Sequence, residues 1–127
     1  MKKIVSTTKA PSAIGPYNQA TAFDKLIFTS GQIALNPATM EIVTGGVQEQ
    51  TKQVMENLKA VLEEAGSSFE NVLKTTCYLS DMDNFVAFNE IYGQYFKGET
   101  APARSTVAVK TLPKNVLVEV DTIAFKN

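Results

Sequence analysis

Apolar residues recur along the chain at two different periods, and each period predicts its own kind of element. Val47, Thr51, Val54, Met55, Leu58, Val61, Leu62 and Ala65 return at three- and four-residue steps with Gln, Glu and Lys between them. That spacing lines one face of an α-helix, and Gly66 stands where a left-handed cap would end it. A second helix is predicted after Asp81 and Asp83, either of which can act as N-cap. It carries Phe85, Phe88, Tyr92, Tyr95 and Phe96 on one side before Lys97-Gly98. This aromatic stripe reads most simply as core, with Asn89 and Tyr92 one turn apart beside it.

The remaining apolar runs are short and rich in β-branched residues. They predict strands at Lys3 to Ser6, Lys25 to Ser30, Val72 to Leu79, Ser105 to Val109 and Val116 to Phe125. Gly15-Pro16, Asn36-Pro37, Gly45-Gly46, Pro102 and Leu112-Pro113-Lys114-Asn115 separate them as turns. No linker, repeat or low-complexity tract interrupts the order, so residues 1–127 are expected to form one domain of the α+β class, with both helices on one face of a mixed sheet.

The other sheet face is then the difficulty. Leu26-Ile27-Phe28 is apolar on consecutive residues, and in the last strand Val116, Val118 and Val120 point one way while Leu117, Ile123 and Phe125 point the other. Two helices cannot cover both faces. A homo-oligomer that buries the free face is expected.

Composition narrows the chemistry. The 127 residues carry a net charge of -1 and contain no histidine, no tryptophan, one cysteine and eleven lysines beside a single arginine, Arg104. Without histidine there is no Ser-His-Asp or Cys-His pair, no imidazole base and no ordinary zinc site, so no metal is expected. Dispersed lysines and the balanced charge speak against a nucleic-acid footprint. No charged-then-apolar leader follows Met1, and no apolar run approaches the ~18 residues of a membrane span, so a cytoplasmic protein without membrane contact is expected.

Arg104 is the first candidate, to be read either as a functional group or as one leftover arginine in a surface pair. A chain that uses lysine for every other cation has a guanidinium here, and what lysine lacks is a planar fork that holds a carboxylate or phosphate through two parallel hydrogen bonds. Position adds weight, because Arg104 follows the Ala101-Pro102-Ala103 turn and begins a strand. Glu119 and Asp121, two residues apart, share the strand face of Leu117, Ile123 and Phe125. A carboxylate in apolar company is paired, protonated or at an edge, so these two are either structural charges or an acid–base group, and the sequence does not choose between them. Cys77, inside a strand with no basic neighbour, reads as a buried small hydrophobe. Gly45-Gly46 lacks the remaining residues of a phosphate loop and reads as a turn.

Ile14-Gly15-Pro16-Tyr17, Thr29-Ser30-Gly31-Gln32, the helix from Gln50 to Leu58, Asn89 with Tyr92, Pro102-Ala103-Arg104-Ser105, and Leu112-Pro113 with Val118-Glu119-Val120 together resemble the Rid family of YjgF-type reactive intermediate deaminases. The resemblance covers essentially the whole chain. It implies a chorismate-mutase-like fold, assembled as a homotrimer with three clefts between subunits. It also implies hydrolysis of short 2-imino acids and their enamine tautomers, such as 2-aminoacrylate, to 2-keto acids and ammonia, with no cofactor.

Carried over to this chain, Arg104 would hold the substrate carboxylate and Glu119 would position water near the imine carbon. Tyr17, Ser30, Gly31 and Asn89 would line the cleft. Many members follow the Arg-Ser pair with cysteine and place glutamate two residues later, whereas this chain has Thr106 and Ala108. Thr106 preserves the substrate contact if its backbone N–H makes it. The alternative is a non-enzymatic module that binds carboxylate metabolites or regulates a partner through the same clefts. A ribonuclease reading, attached to some relatives, fits poorly with the absence of histidine and of a basic aromatic groove.

Overall fold

The computed structural model describes all 127 residues. Six strands form one mixed sheet: β1 (Lys3–Val5), β2 (Ala20–Phe23), β3 (Leu26–Thr29), β4 (Val72–Leu79), β5 (Ala103–Ala108) and β6 (Val118–Phe125), with helices α1 (Val47–Glu64) and α2 (Phe85–Tyr95) between β3 and β5. Their spatial order is β1-β2-β3-β6-β4-β5. The neighbouring pairs are antiparallel except β4 with β5, which run parallel with α2 as their crossover.

The α1 prediction matches closely. Val54, Met55, Leu58, Val61 and Leu62 are fully buried, each contributing roughly 1.5–3 kcal/mol relative to exposure. At its start the Gly46 N–H donates to Glu49 Oε1 at 2.8 Å. At its end Gly66 adopts φ +83, with Ser67 N–H to Leu62 O and Gly66 N–H to Glu63 O, the paired bonds of a Schellman cap. Asp81 accepts from the Asp83 N–H at 2.8 Å and caps a short 3₁₀ turn that runs into α2.

Three sequence expectations need correction. β2 was absent from the predicted elements, because Ala20-Thr21-Ala22-Phe23 is too short and too small-sided to stand out; it exists by pairing β1 with β3. The final strand starts at Val118 rather than Val116, since Lys114 and Asn115 take positive φ values of 55 and 56 that interrupt extension. β5 begins at Ala103 rather than Ser105, placing Arg104 inside the strand.

Register assigns the sheet faces. Val118, Val120, Thr122 and Ala124 of β6 are buried, as are Thr75, Cys77 and Leu79 of β4, and these sit beneath the helices. The opposite face carries Ile4, Phe23, Leu26 and Phe28, all exposed. Phe28 pairs with Ile123 and Leu26 with Phe125, and Tyr78 and Glu119 lie opposite one another on the same face. The sheet thus leaves an open, largely apolar face, as the two-sided pattern predicts. No helix is long and apolar enough to cross a membrane.

Candidate functional site

The expected site residues fall into two groups on opposite sides of the sheet. The first is built where edge strand β5 meets α2. Parallel pairing sets Arg104 beside Thr75 and Thr106 beside Cys77, so Arg104 and Thr106 share the helix-facing side. Phe85, Asn89 and Tyr92 occupy positions i, i+4 and i+7 of α2 and therefore one helical face.

All three meet the arginine. Arg104 Nη1 donates to Asn89 Oδ1 at 2.7 Å, and its guanidinium carbon lies 5.4 Å from the centroid of the Phe85 ring and 4.7 Å from that of Tyr92. Each such cation–π contact contributes roughly 0.5–2 kcal/mol according to its exposure. Tyr92 is itself anchored, its hydroxyl 2.8 Å from Thr75 Oγ1 in the buried core.

Thr106 Oγ1 is buried with no hydrogen-bond partner. Cys77, fully buried beside it, has its thiol pushed up to about 11, chiefly by burial. It is an inert core group, as its sequence context indicates.

The second group gathers around Glu119. Gln32 and Val120 exchange backbone hydrogen bonds of 2.9 and 3.3 Å, pinning the segment after β3 against β6. This brings Gly31 so close to Glu119 that a Cβ on residue 31 would overlap the carboxylate. Any side chain at residue 31 would push the Glu119 carboxylate aside, so glycine leaves that carboxylate its present position by proximity rather than by backbone conformation.

Burial, and secondarily the charge of Asp121, holds the Glu119 carboxyl above its ordinary range. Burial likewise raises Asp121, partly offset by Tyr78, whose hydroxyl donates to Asp121 Oδ2 at 3.3 Å, and by Lys74. Ser30 does not present a free hydroxyl, since its Oγ donates to Asn18 O at 2.6 Å and so fixes the residue after Tyr17. Half-exposed Tyr17 lines a cavity of about 150 Å³ together with Ile14, Gln19, Gln32, Leu35 and Pro113. Gln32 is the residue next to Gly31, so this cavity borders the Glu119 group.

Arg104 and Glu119 do not meet within one protomer. Arg104 aligns across the sheet with Thr75 and then Thr122, so Glu119 lies two strand spacings away, about 10 Å, three residues farther along β6 and on the opposite face. Tyr17, Ser30, Gly31 and Glu119 thus gather in one group, and Asn89, Arg104 and Thr106 in another. Sequence reading did not single out Phe85, Tyr92 and Thr75 as site residues. Their signal was the i, i+4, i+7 spacing around Asn89, which the core reading of the aromatic stripe absorbed.

Comparison with known proteins places the chain. The family model described as Endoribonuclease L-PSP matches residues 7–126. The RutC family protein slr0709 of Synechocystis is 58% identical over 123 residues, covering 96% of this chain and 95% of its own length. A 2-iminobutanoate/2-iminopropanoate deaminase of Mus musculus is 48% identical over 126 residues, covering 99% and 93%. Among solved structures, Escherichia coli TdcF with bound serine superposes with a TM-score of 0.92 at 42% identity, covering 98% of this chain and 99% of that one. With likeness in sequence and in fold extending over nearly its whole length, the chain belongs to the YjgF/Rid family.

Proposed function

We propose that the protein hydrolyses short 2-imino acids and their enamine tautomers to 2-keto acids and ammonia, in clefts between the subunits of a homotrimer. One observation carries the reading: the only arginine is held by an asparagine and two aromatic rings at a sheet edge, with in-plane N–H groups left to grip a carboxylate. The deaminase name of the murine relative supports the reaction class, and the serine bound to TdcF supports a small amino-acid-like ligand.

Separation of the half-sites supports the assembly. With Arg104 and Glu119 on opposite faces of one sheet, a small substrate can touch both only if they come from two subunits. The open apolar face gives those subunits a surface to bury.

In this cleft Arg104 fixes the substrate carboxylate, with the Thr106 backbone N–H as a further donor, and presents the adjacent C2 imine in one direction. Glu119 from the neighbouring subunit orients water toward C2. It accepts a water proton as the C–O bond forms on the protonated imine, returns that proton to nitrogen, and takes the carbinolamine hydroxyl proton as C=O forms and the C–N bond breaks, releasing ammonia. A raised carboxyl pKa makes Glu119 a better base for this transfer. Gly31 leaves room for that carboxylate, and Tyr17 and its apolar cavity receive the hydrocarbon end, favouring small side chains. The chemistry asks for no cofactor.

The test generates 2-aminoacrylate with a dehydratase and follows keto-acid release. Acceleration by the protein, lost in Arg104→Ala, supports the proposal. No acceleration, or full activity in Arg104→Ala, overturns it. Saturable 2-keto-acid binding with unchanged hydrolysis would instead favour a carboxylate-binding module. RNA cleavage that disappears in both Glu119→Ala and Arg104→Ala would support the activity named in the family description.

A further inference from the structure

Arg104 lies on an exposed edge strand, where a long side chain ordinarily samples many rotamers, yet its head is in contact on several sides. The guanidinium carbon lies over both Phe85 and Tyr92, and one N–H is taken by Asn89. Contacts of this kind suit a planar guanidinium, whose faces rest on rings while its hydrogen-bond donors all lie in the plane. Tyr92 is the deeper of the two rings, 7% exposed, and its hydroxyl is tied to Thr75 of β4. Its deep packing keeps the ring from following a wandering arginine, and the bond to Thr75 adds stability. Phe85, half-buried one helical step above Asn89, supplies the second contact from the first turn of α2.

We propose that Phe85 and Tyr92 are positioning residues whose rings orient the Arg104 guanidinium so that the in-plane N–H groups not used by Asn89 point toward the substrate carboxylate. The inference rests on the carboxylate-binding role of Arg104 proposed above. It also explains why the one arginine occurs here among eleven lysines: an ammonium has no plane for the rings to orient.

Michaelis parameters for imine hydrolysis, pyruvate binding by calorimetry, and thermal unfolding are measured for the wild type, Phe85→Leu, Tyr92→Leu and Tyr92→Phe. Removing either ring is expected to raise KM, and to weaken pyruvate, about three- to tenfold with kcat within about twofold, the signature of a carboxylate grip lost in ground and transition states alike. Tyr92→Phe keeps the ring and is expected to hold KM within about twofold of wild type while lowering the unfolding temperature, because only the bond to Thr75 is lost.

Unchanged KM and unchanged pyruvate affinity in both ring deletions overturn the proposal, as does a KM increase in Tyr92→Phe as large as that in Tyr92→Leu. Phe85→Leu, at a half-buried position, carries the test alone if Tyr92→Leu does not fold. Wild-type protein that hydrolyses no imine counts against the deaminase reading. Pyruvate affinity then judges the positioning role by itself, with weakening in the ring deletions supporting it and no change overturning it.

Discussion

Lysine at position 104 would keep the charge and lose both the fork and the stacking plane. Arg104→Lys is therefore expected to lower kcat/KM at least about tenfold, or about 1.4 kcal/mol, in the enamine assay with folding unaffected. Gly31 lies so close to Glu119 that an added Cβ would meet its carboxylate. Gly31→Ala forces the carboxylate aside and is expected to cut kcat at least about tenfold, as misplacing a catalytic group does; unchanged kcat would remove Glu119 from the reaction. Acidity gives a third handle. In the proposed reaction Glu119 acts as its carboxylate, so activity is expected to fall as pH drops through its raised pKa, and Asp121 is one cause of that raising. Asp121→Asn is thus expected to move the acid limb of the kcat/KM profile to lower pH. Composition drew attention to Arg104, because a single guanidinium among lysines is conspicuous, but only its position after a turn and the family resemblance set it apart from a leftover surface charge. The strand pattern alone did not separate Glu119 from Asp121, since both share one face; the family resemblance pointed to Glu119, and its closeness to Gly31, distant in sequence, agrees with that choice.

At the scale of elements, α1 and β4 were readable to within a residue at each end, because a long amphipathic period and a β-branched run bounded by turns are local signals. β2 was not, because its existence depends on its partners. α2 was found, yet part of its pattern was missed: core aromatics and those that reach Arg104 share one helical period, so Phe88 packs in the core while Phe85 meets Arg104. Local rules also give a control outside the site. Gly66 holds φ +83 at the end of α1, and Gly66→Ala is expected to cost about 1 kcal/mol of stability by chemical denaturation while leaving kcat/KM unchanged.

The whole molecule turns on the open sheet face, where Ile4, Phe23, Leu26 and Phe28 stand exposed beside Ile123 and Phe125. The alternating pattern of β6 predicted that face, whereas the placement of Arg104 and Glu119 on opposite sides of the sheet required the register. If subunits bury this face to build the clefts, Phe28→Lys is expected to yield a smaller species by light scattering and to abolish turnover, although Phe28 belongs to neither half-site. The most direct test of a site shared between subunits is complementation. Arg104→Ala and Glu119→Ala proteins, each inactive alone, are unfolded together and refolded at equal concentrations. Hydrolysis of 2-aminoacrylate is expected to return to about a quarter of that of wild type treated in the same way, the share of clefts in a randomly assorted trimer that draw both intact residues from different subunits. Mixed trimers that remain as inactive as either parent would contradict a cleft built from Arg104 of one subunit and Glu119 of the next.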